Sequence, residues 1–283
     1  MAGHAARGGR RGAVVTPSRA PIALRSRTVA ALVLASVVGV AAFAWPFFAS
    51  ADSRIGASDS APLVFGALLL LVVLVVFAQV GDGGFDVKAL ALLGVLSALG
   101  AVLRPFGAGT AGVETVFFVI ILAGRALGPG FGFSLGCTTL FASALVTGGV
   151  GPWMPYQMFG CAWVGLGAGL LPPARGRREL VLLAAYGALS AFAYGFLLNL
   201  SFWPFALGDG TALSFVPGDA VLSNLHRYVV FDATTSLGWD TGRAVTNVVL
   251  ILVAGGPVLG ALRRSSRRAS FGAPVTFDQT GLT

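Results

Sequence analysis

Polar residues in this chain come in short clusters, and apolar runs of helix length separate them. The runs cover 28–48, 62–80, 88–103, 115–127, 131–146, 158–171, 179–202 and 241–262. They are rich in Leu, Val, Ala and Gly and do not alternate with the period of two that barrel strands require. Crossing about 30 Å of hydrocarbon takes about 20 apolar residues in a helix. A helix also satisfies its own backbone in lipid. Between the runs lie glycine and proline breaks: 81–87 (GDGGFDV), Gly128-Pro129-Gly130, 147–157 (TGGVGPWMPYQ) and 172–178. The pattern predicts an all-α, polytopic transmembrane helical bundle of eight spans. One further apolar stretch, 228–237, is too short to cross, and 222–237 is expected as an interfacial or partly buried helix. A break in the last run is expected near Gly255-Gly256-Pro257.

Composition supports the membrane reading: 56% of residues are hydrophobic and 11% charged, and mean hydropathy is +0.85. Soluble domains are about a quarter charged. A net charge of +8 would suit a nucleic-acid surface, but its distribution argues otherwise. Arg7, Arg10, Arg11, Arg19, Arg25 and Arg27 precede the first run. Arg175, Arg177 and Arg178 fill one short loop, and Arg263, Arg264, Arg267 and Arg268 follow the last run. This is the positive-inside pattern, which places both termini in the cytoplasm of a multi-pass cell-membrane protein. Counting 228–237 as a span would put the last cluster outside. The chain is thus read as a disordered basic cytoplasmic tail at 1–27, two extra transmembrane helices at 28–87, a six-helix core at 88–264 and a disordered cytoplasmic tail at 265–283. Ala49-Ser50-Ala51 resembles a signal-peptidase site, but the run before it is longer than a signal core, so an uncleaved helix is expected. The first two spans, without charges, read as lipid-facing additions.

Ionisable groups at membrane depth mark functional candidates by default. The candidates for substrate contact are Arg104, Glu114, Asp240 and Arg243, with the polar or aromatic Trp153, Tyr156, Gln157, Asn199, Trp203 and Asn247. Most fall on the outer side or in the outer half. Trp153 and Trp203 each abut a proline, which suits the edge of a stiff pocket. Each has a plainer alternative: Asp240 as an N-cap, Arg104 snorkelling to the interface, Asn199 tying two helices, and the tryptophans as interface anchors. Gly107, Gly109 and Gly112 match GxGxxG, but no strand precedes them and no acid follows at the required distance. There is no Walker A pattern, HExxH or GxSxG, and Asp232 and Asp240 lie in no catalytic motif. Cys137 and Cys161 are expected as buried free thiols. With only two histidines, neither a multi-histidine metal site nor a cofactor is expected.

Along 88–264 the order of motifs resembles the substrate-binding S component of an energy-coupling factor (ECF) vitamin transporter. The matching residues are KALALLGVLSALGAVLRP, IILAGRALGPGFGFSLG, GGVGPWMPYQM, GLGAGLLP and SLGWDTGRAVTN. The resemblance implies a non-enzymatic six-helix bundle whose outer loops, here 104–114, 148–156 and 203–227, enclose a vitamin-sized molecule. It also implies a transmembrane coupling subunit docked on a small-residue face, with two cytosolic ATPase subunits. That face is expected at Ala91, Gly94, Ala98 and Ala101. GVGPWMPYQM is most similar to the cobalamin-type branch. The reading from a different class is a membrane assembly protein held by its Gly and Ala stripes.

Overall fold

The computed structural model describes residues 22, 24–50, 61–81, 85–106, 110–208 and 210–269. Among these every regular element is helical. In order they are α1 (Ser26–Ala44) with a 3-10 turn at Trp45–Phe47, α2 (Ala61–Gly81), α3 (Val87–Leu103), α4 (Val116–Leu127), α5 (Pro129–Thr147), α6 (Met154–Leu170), α7 (Arg177–Ala206), α8 (Val221–Thr235) and α9 (Leu237–Ala269). The segments Ser26–Phe47, Pro129–Thr147, Arg177–Ala206 and Leu237–Arg268 are long and apolar enough to cross a membrane, and α3 and α4 are shorter apolar helices.

The bundle is organised around α4. Twelve residues rise about 18 Å, too little to cross a bilayer, and all but Phe118 and Arg125 are buried. Helices α5, α6, α7 and α9 pack against it. Gly128 alone links α4 to α5, with φ at 119°, a region that favours glycine. The chain therefore reverses without a loop. A Cβ on Gly124 or Gly132 would strike the carbonyl oxygen of Gly165, and one on Gly136 the backbone at Cys161. These residues let three backbones touch, the contact that drives helix association in lipid.

Several boundaries differ from the sequence reading. Met154, Pro155, Tyr156 and Gln157 open α6, leaving only 148–153 as loop, because a proline in the first turn sacrifices no helical hydrogen bond. Helix α7 runs through Pro204 to Ala206, so Trp203 is helical, not part of a loop. Helix α9 passes Pro257 unbroken and reaches Ala269. Packing along α7 carries it through, as neighbouring helices do for prolines in membranes. The same helix starts at Leu237, which puts Asp240 in its first turn and not at its N-cap. Helix α8 ends at Thr235, close to the expected short helix. Of the expected tails, Ser26 and Arg27 belong to α1 and 265–269 to α9, while 1–21 and 270–283 lie outside the described residues. So do Gly107 and Gly109 of the glycine motif and Ala51 of the cleavage-like tripeptide.

Helix α1 is more than a lipid-facing addition. Trp163 Nε1 donates to Ser36 Oγ at 3.1 Å, and Phe43 stands edge-on to Tyr156 with ring centres 5.0 Å apart. A Cβ on Gly39 would crowd the rings of Phe159 and Trp163. The turn after α1 reaches the α7–α8 connection. There Trp45 packs on Phe205 and Phe215, and Phe47 on Trp203 and Tyr228. Gly218 N donates to Ala49 O at 2.9 Å.

Candidate functional site

The charged groups buried in the bundle gather at two ends. At the first, Arg125 Nε donates to Glu179 Oε1 at 2.7 Å and its Nη1 to Leu171 O at 2.8 Å. Arg263 Nη2 donates to the same carboxylate oxygen at 2.6 Å, and its Nη1 to Oε2 at 3.0 Å. Glu179 thus ties α4, α7 and α9 beside the basic stretch 175–178, whose last two residues open α7, and the basic end of α9. Ile22 N donates to Leu127 O at 3.2 Å, which brings the start of α1 to this end as well.

The opposite end begins at Arg243, about 30 Å along α9 from Arg263 at 1.5 Å per residue. Arg243 is buried, with Nη1 2.6 Å from Asp240 Oδ1 and Nη2 3.0 Å from Glu114 Oε1. Nη1 also donates to Ala191 O at 3.2 Å. The guanidinium stands over the rings of Tyr194 and Phe117, 5.1 and 5.7 Å from their centres, adding cation–π attraction. Asp240 Oδ2 accepts from Ser236 Oγ at 2.8 Å. Only a glycine at 195 leaves room for this carboxylate, since a Cβ there would collide with it. Glu114 is positioned by the α3–α4 connection, which lies on the first turns of α9 where Gly112 meets the Trp239 carbonyl and Gly242 meets that of Ala111.

Arg104 follows the last turn of α3. Its Nη2 donates to Gln157 Oε1 at 3.0 Å and its Nη1 to Ser143 Oγ at 3.3 Å. Asn247 lies one turn beyond Arg243 and donates to Gly187 O at 3.0 Å. Arg243 Nε and Asn247 Oδ1 are buried without a partner among the described residues. The arrangement can hold a polar molecule at the bundle end. It places no nucleophile beside a base, and the described residues hold no group of three metal-ligating side chains.

The structure brings some expected residues together and separates others. Arg104 meets Gln157, and Glu114, Asp240 and Arg243 form one ionic cluster. Asn199 instead bonds Asp232 at 2.9 Å and Thr235 at 3.2 Å, linking α7 to α8. Trp203 is fully buried among Phe47, Phe215 and Tyr228, and its Nε1 donates to Leu213 O at 2.8 Å. Tyr156 faces Phe43 of α1. Trp153 is 53% exposed in the 148–153 loop. Sequence reasoning missed Ser143, Tyr194, Phe117 and Ser236 as cluster members. The first three sit in apolar runs and only helix packing turns them towards the charges, whereas Ser236 opens the SLGWDTGRAVTN stretch four residues before Asp240. Cys137 and Cys161 are free and buried.

Fold and polar clusters together define a polytopic helical membrane protein with one basic end tied by Glu179 and an opposite end that carries the Arg243 and Arg104 clusters. Residues 88–216, a little under half of the chain, match the family model described as ECF transporter, substrate-specific component, so this part of the chain is similar to that family. The matched segment covers α3 to α7 and stops before α8 and α9, which supply Asp240, Arg243 and Asn247. No curated protein and no solved structure matches the chain.

Proposed function

We propose that this chain captures a vitamin-like molecule from outside the cell as the substrate-binding membrane subunit of an ATP-driven ECF uptake transporter. The observation that carries the reading is the gathering of Arg104 and Glu114 from the α3–α4 connection, Gln157 from α6 and Arg243 from α9 on the end opposite the basic groups. By the positive-inside rule that end faces outward. Arg104, Glu114, Gln157 and Arg243 then line the substrate site, with Asn247 beneath them and Trp153 at its rim. The rest of the aromatic outer segment is consumed in its own packing: Trp203 belongs to the core that fixes α8, and Asn199 to the α7–α8 link. The corrinoid assignment therefore rests on the loop GVGPWMPYQM alone.

A transmembrane coupling subunit and two cytosolic ATPase subunits complete the cycle, and this chain performs no chemistry of its own. Ala91, Gly94 and Ala98 lie on the exposed face of α3, and a Cβ on Gly94 would meet nothing within 4 Å. That face is the proposed docking surface. Ala101, which is 2% exposed, serves internal packing instead.

The test is a vitamin panel titrated into the purified protein by calorimetry or tryptophan fluorescence, with an inner-filter control for absorbing ligands. One saturating ligand, weakened by Trp153→Ala with assembly intact, is the expected outcome. Gly94→Leu with Ala98→Leu should do the reverse, abolishing co-purification with the coupling subunit while binding persists. Identical phenotypes from the two sets would overturn this division of labour.

A further inference from the structure

Five arginines among the described residues are partly or wholly withdrawn from solvent: Arg104, Arg125, Arg227, Arg243 and Arg263. Four of them have carboxylate partners. Arg125 and Arg263 share Glu179, Arg227 lies 2.6 Å from Asp219, and Arg243 holds Glu114 and Asp240. Arg104 is different. Its only side-chain partners among the described residues are the neutral Ser143 and Gln157.

A guanidinium stays charged at any physiological pH, and withdrawing it from water without a counter-charge is costly. The end of α3 supplies part of the compensation, roughly half a unit of negative charge. Two of its last four carbonyls are already committed, however. Gly100 O accepts from Arg104 N, while Leu103 O accepts from both Phe106 N and Thr115 Oγ1. The hydroxyl and the amide orient the planar fork without neutralising it, and part of its donor set is unused. The position suits an incoming group. Ser143 is fully buried behind the guanidinium, Gln157 opens α6, and the exposed Trp153 precedes it by one helical turn.

We propose that Arg104 is the anion-recognition residue of the substrate site, so that the molecule captured carries a carboxylate or a phosphate, seated against the guanidinium beside Gln157 and Ser143. Bidentate recognition of such planar or tetrahedral anions is the task for which an arginine fork is best suited. The assignment rests on the function proposed above and adds the chemical class of its substrate. A phospholipid headgroup offers the same anion from a different source, and the experiment separates the two.

The full-length protein is reconstituted in phosphatidylcholine nanodiscs and titrated by calorimetry with matched pairs that differ in one anionic group. The pairs are nicotinate and nicotinamide, pantothenate and panthenol, biotin and biotinamide, and thiamine monophosphate and thiamine. One anion-bearing member should bind, with its partner weaker by about 10–100-fold, the range expected for a charge-assisted hydrogen bond. Arg104→Gln should reproduce that loss on the anionic member and leave the weaker partner unchanged. Arg104→Lys, which keeps the charge, should restore part of it. Thermal unfolding checks that both variants fold, and only folded variants enter the comparison. Equal binding of both members of a pair, or an affinity indifferent to Arg104→Gln, would overturn the anion assignment and leave the transport reading standing. Folded protein that binds none of the compounds would remove the transport reading and the assignment with it. If Arg104→Gln changes only thermal stability, and only in phosphatidylglycerol nanodiscs, Arg104 is a lipid contact and the assignment fails.

Discussion

Arg243 shows how one side chain can hold three helices and a connection in register. It joins α9 to Glu114 on the α3–α4 connection, to the backbone of α7 at Ala191, and to the rings of Phe117 and Tyr194. Removing one partner of a buried ion pair leaves the others uncompensated and costs about 3–5 kcal/mol. Arg243→Met should therefore lower the thermal unfolding temperature sharply in detergent, and an unchanged transition would deny the cluster its structural role. Trp203→Ala should also destabilise, by about 3–5 kcal/mol as for a large core truncation, because the ring is fully buried. Trp153→Ala, at a half-exposed position, should leave unfolding unchanged. These two tryptophans look alike in sequence, each beside a proline. Their contrast appears only once Pro204 is placed inside α7.

The connection from α7 to α8 carries its own fastenings. Asn224 is buried and bonds both the N–H and the C=O of Val216, and Arg227 Nη1 donates to Asp219 Oδ2 at 2.6 Å. The hydrogen bond from Arg227, followed by the one from Ala220 N–H, holds the Asp219 carboxyl below its ordinary value. A lowered pKa stabilises the folded state above the unfolded value, and that contribution is lost as pH falls through the folded one. Acidification below about pH 4 should raise hydrogen exchange in 210–220, and Asp219→Asn should show the raised exchange already at neutral pH. The helix packing is equally specific. Gly165→Ala places a methyl on the Gly132 carbonyl and should cost about 1–3 kcal/mol, as overpacking does. Gly94→Ala meets open space and should leave unfolding unchanged or slightly improved. Ser36→Val removes the acceptor of Trp163 Nε1, so a blue shift of tryptophan emission measures how firmly α1 is seated.

The whole molecule presents two chemically distinct ends. Arg125, Arg175, Arg177, Arg178 and Arg263 share one, and the connections carrying Glu114, Trp153 and Ala212 belong to the other. The two native cysteines are buried, so substituted cysteines can report orientation. We expect Ala212→Cys to react with a membrane-impermeant maleimide on intact cells, and Arg175→Cys only after permeabilisation. The reverse pattern would invert the proposed topology and remove the outward-facing site. Retention of α1 belongs to this scale too, because it contributes Ser36, Gly39, Phe43 and the Trp45–Phe47 turn to contacts with α6 and the outer connection. We expect the mature protein to keep it, which intact-mass measurement checks directly.

Apolar run length, glycine–proline punctuation and the placement of arginine determined most of the architecture by themselves. These are local properties: about 20 apolar residues and a clustered charge have the same meaning in lipid whatever they later touch. The order of the core helices, a tight turn at Gly128-Pro129-Gly130 and the presence of ionisable groups at Arg104, Glu114, Asp240 and Arg243 were legible for that reason, whereas the shortening of that turn to Gly128 alone was not. Tertiary structure alone decided which charges meet. Glu114 and Arg243 are far apart in the chain and become partners only because Gly112 and Gly242 let the α3–α4 connection rest on α9. It also decided that prolines 204 and 257 would be carried through helices by their neighbours, and that α1 would pack on α6 instead of facing only lipid. Helix-to-helix contact is a property of pairs of surfaces, and a periodic run of leucine, alanine and glycine offers several faces of nearly equal merit. Its partner is chosen by where the glycines of another helix leave room.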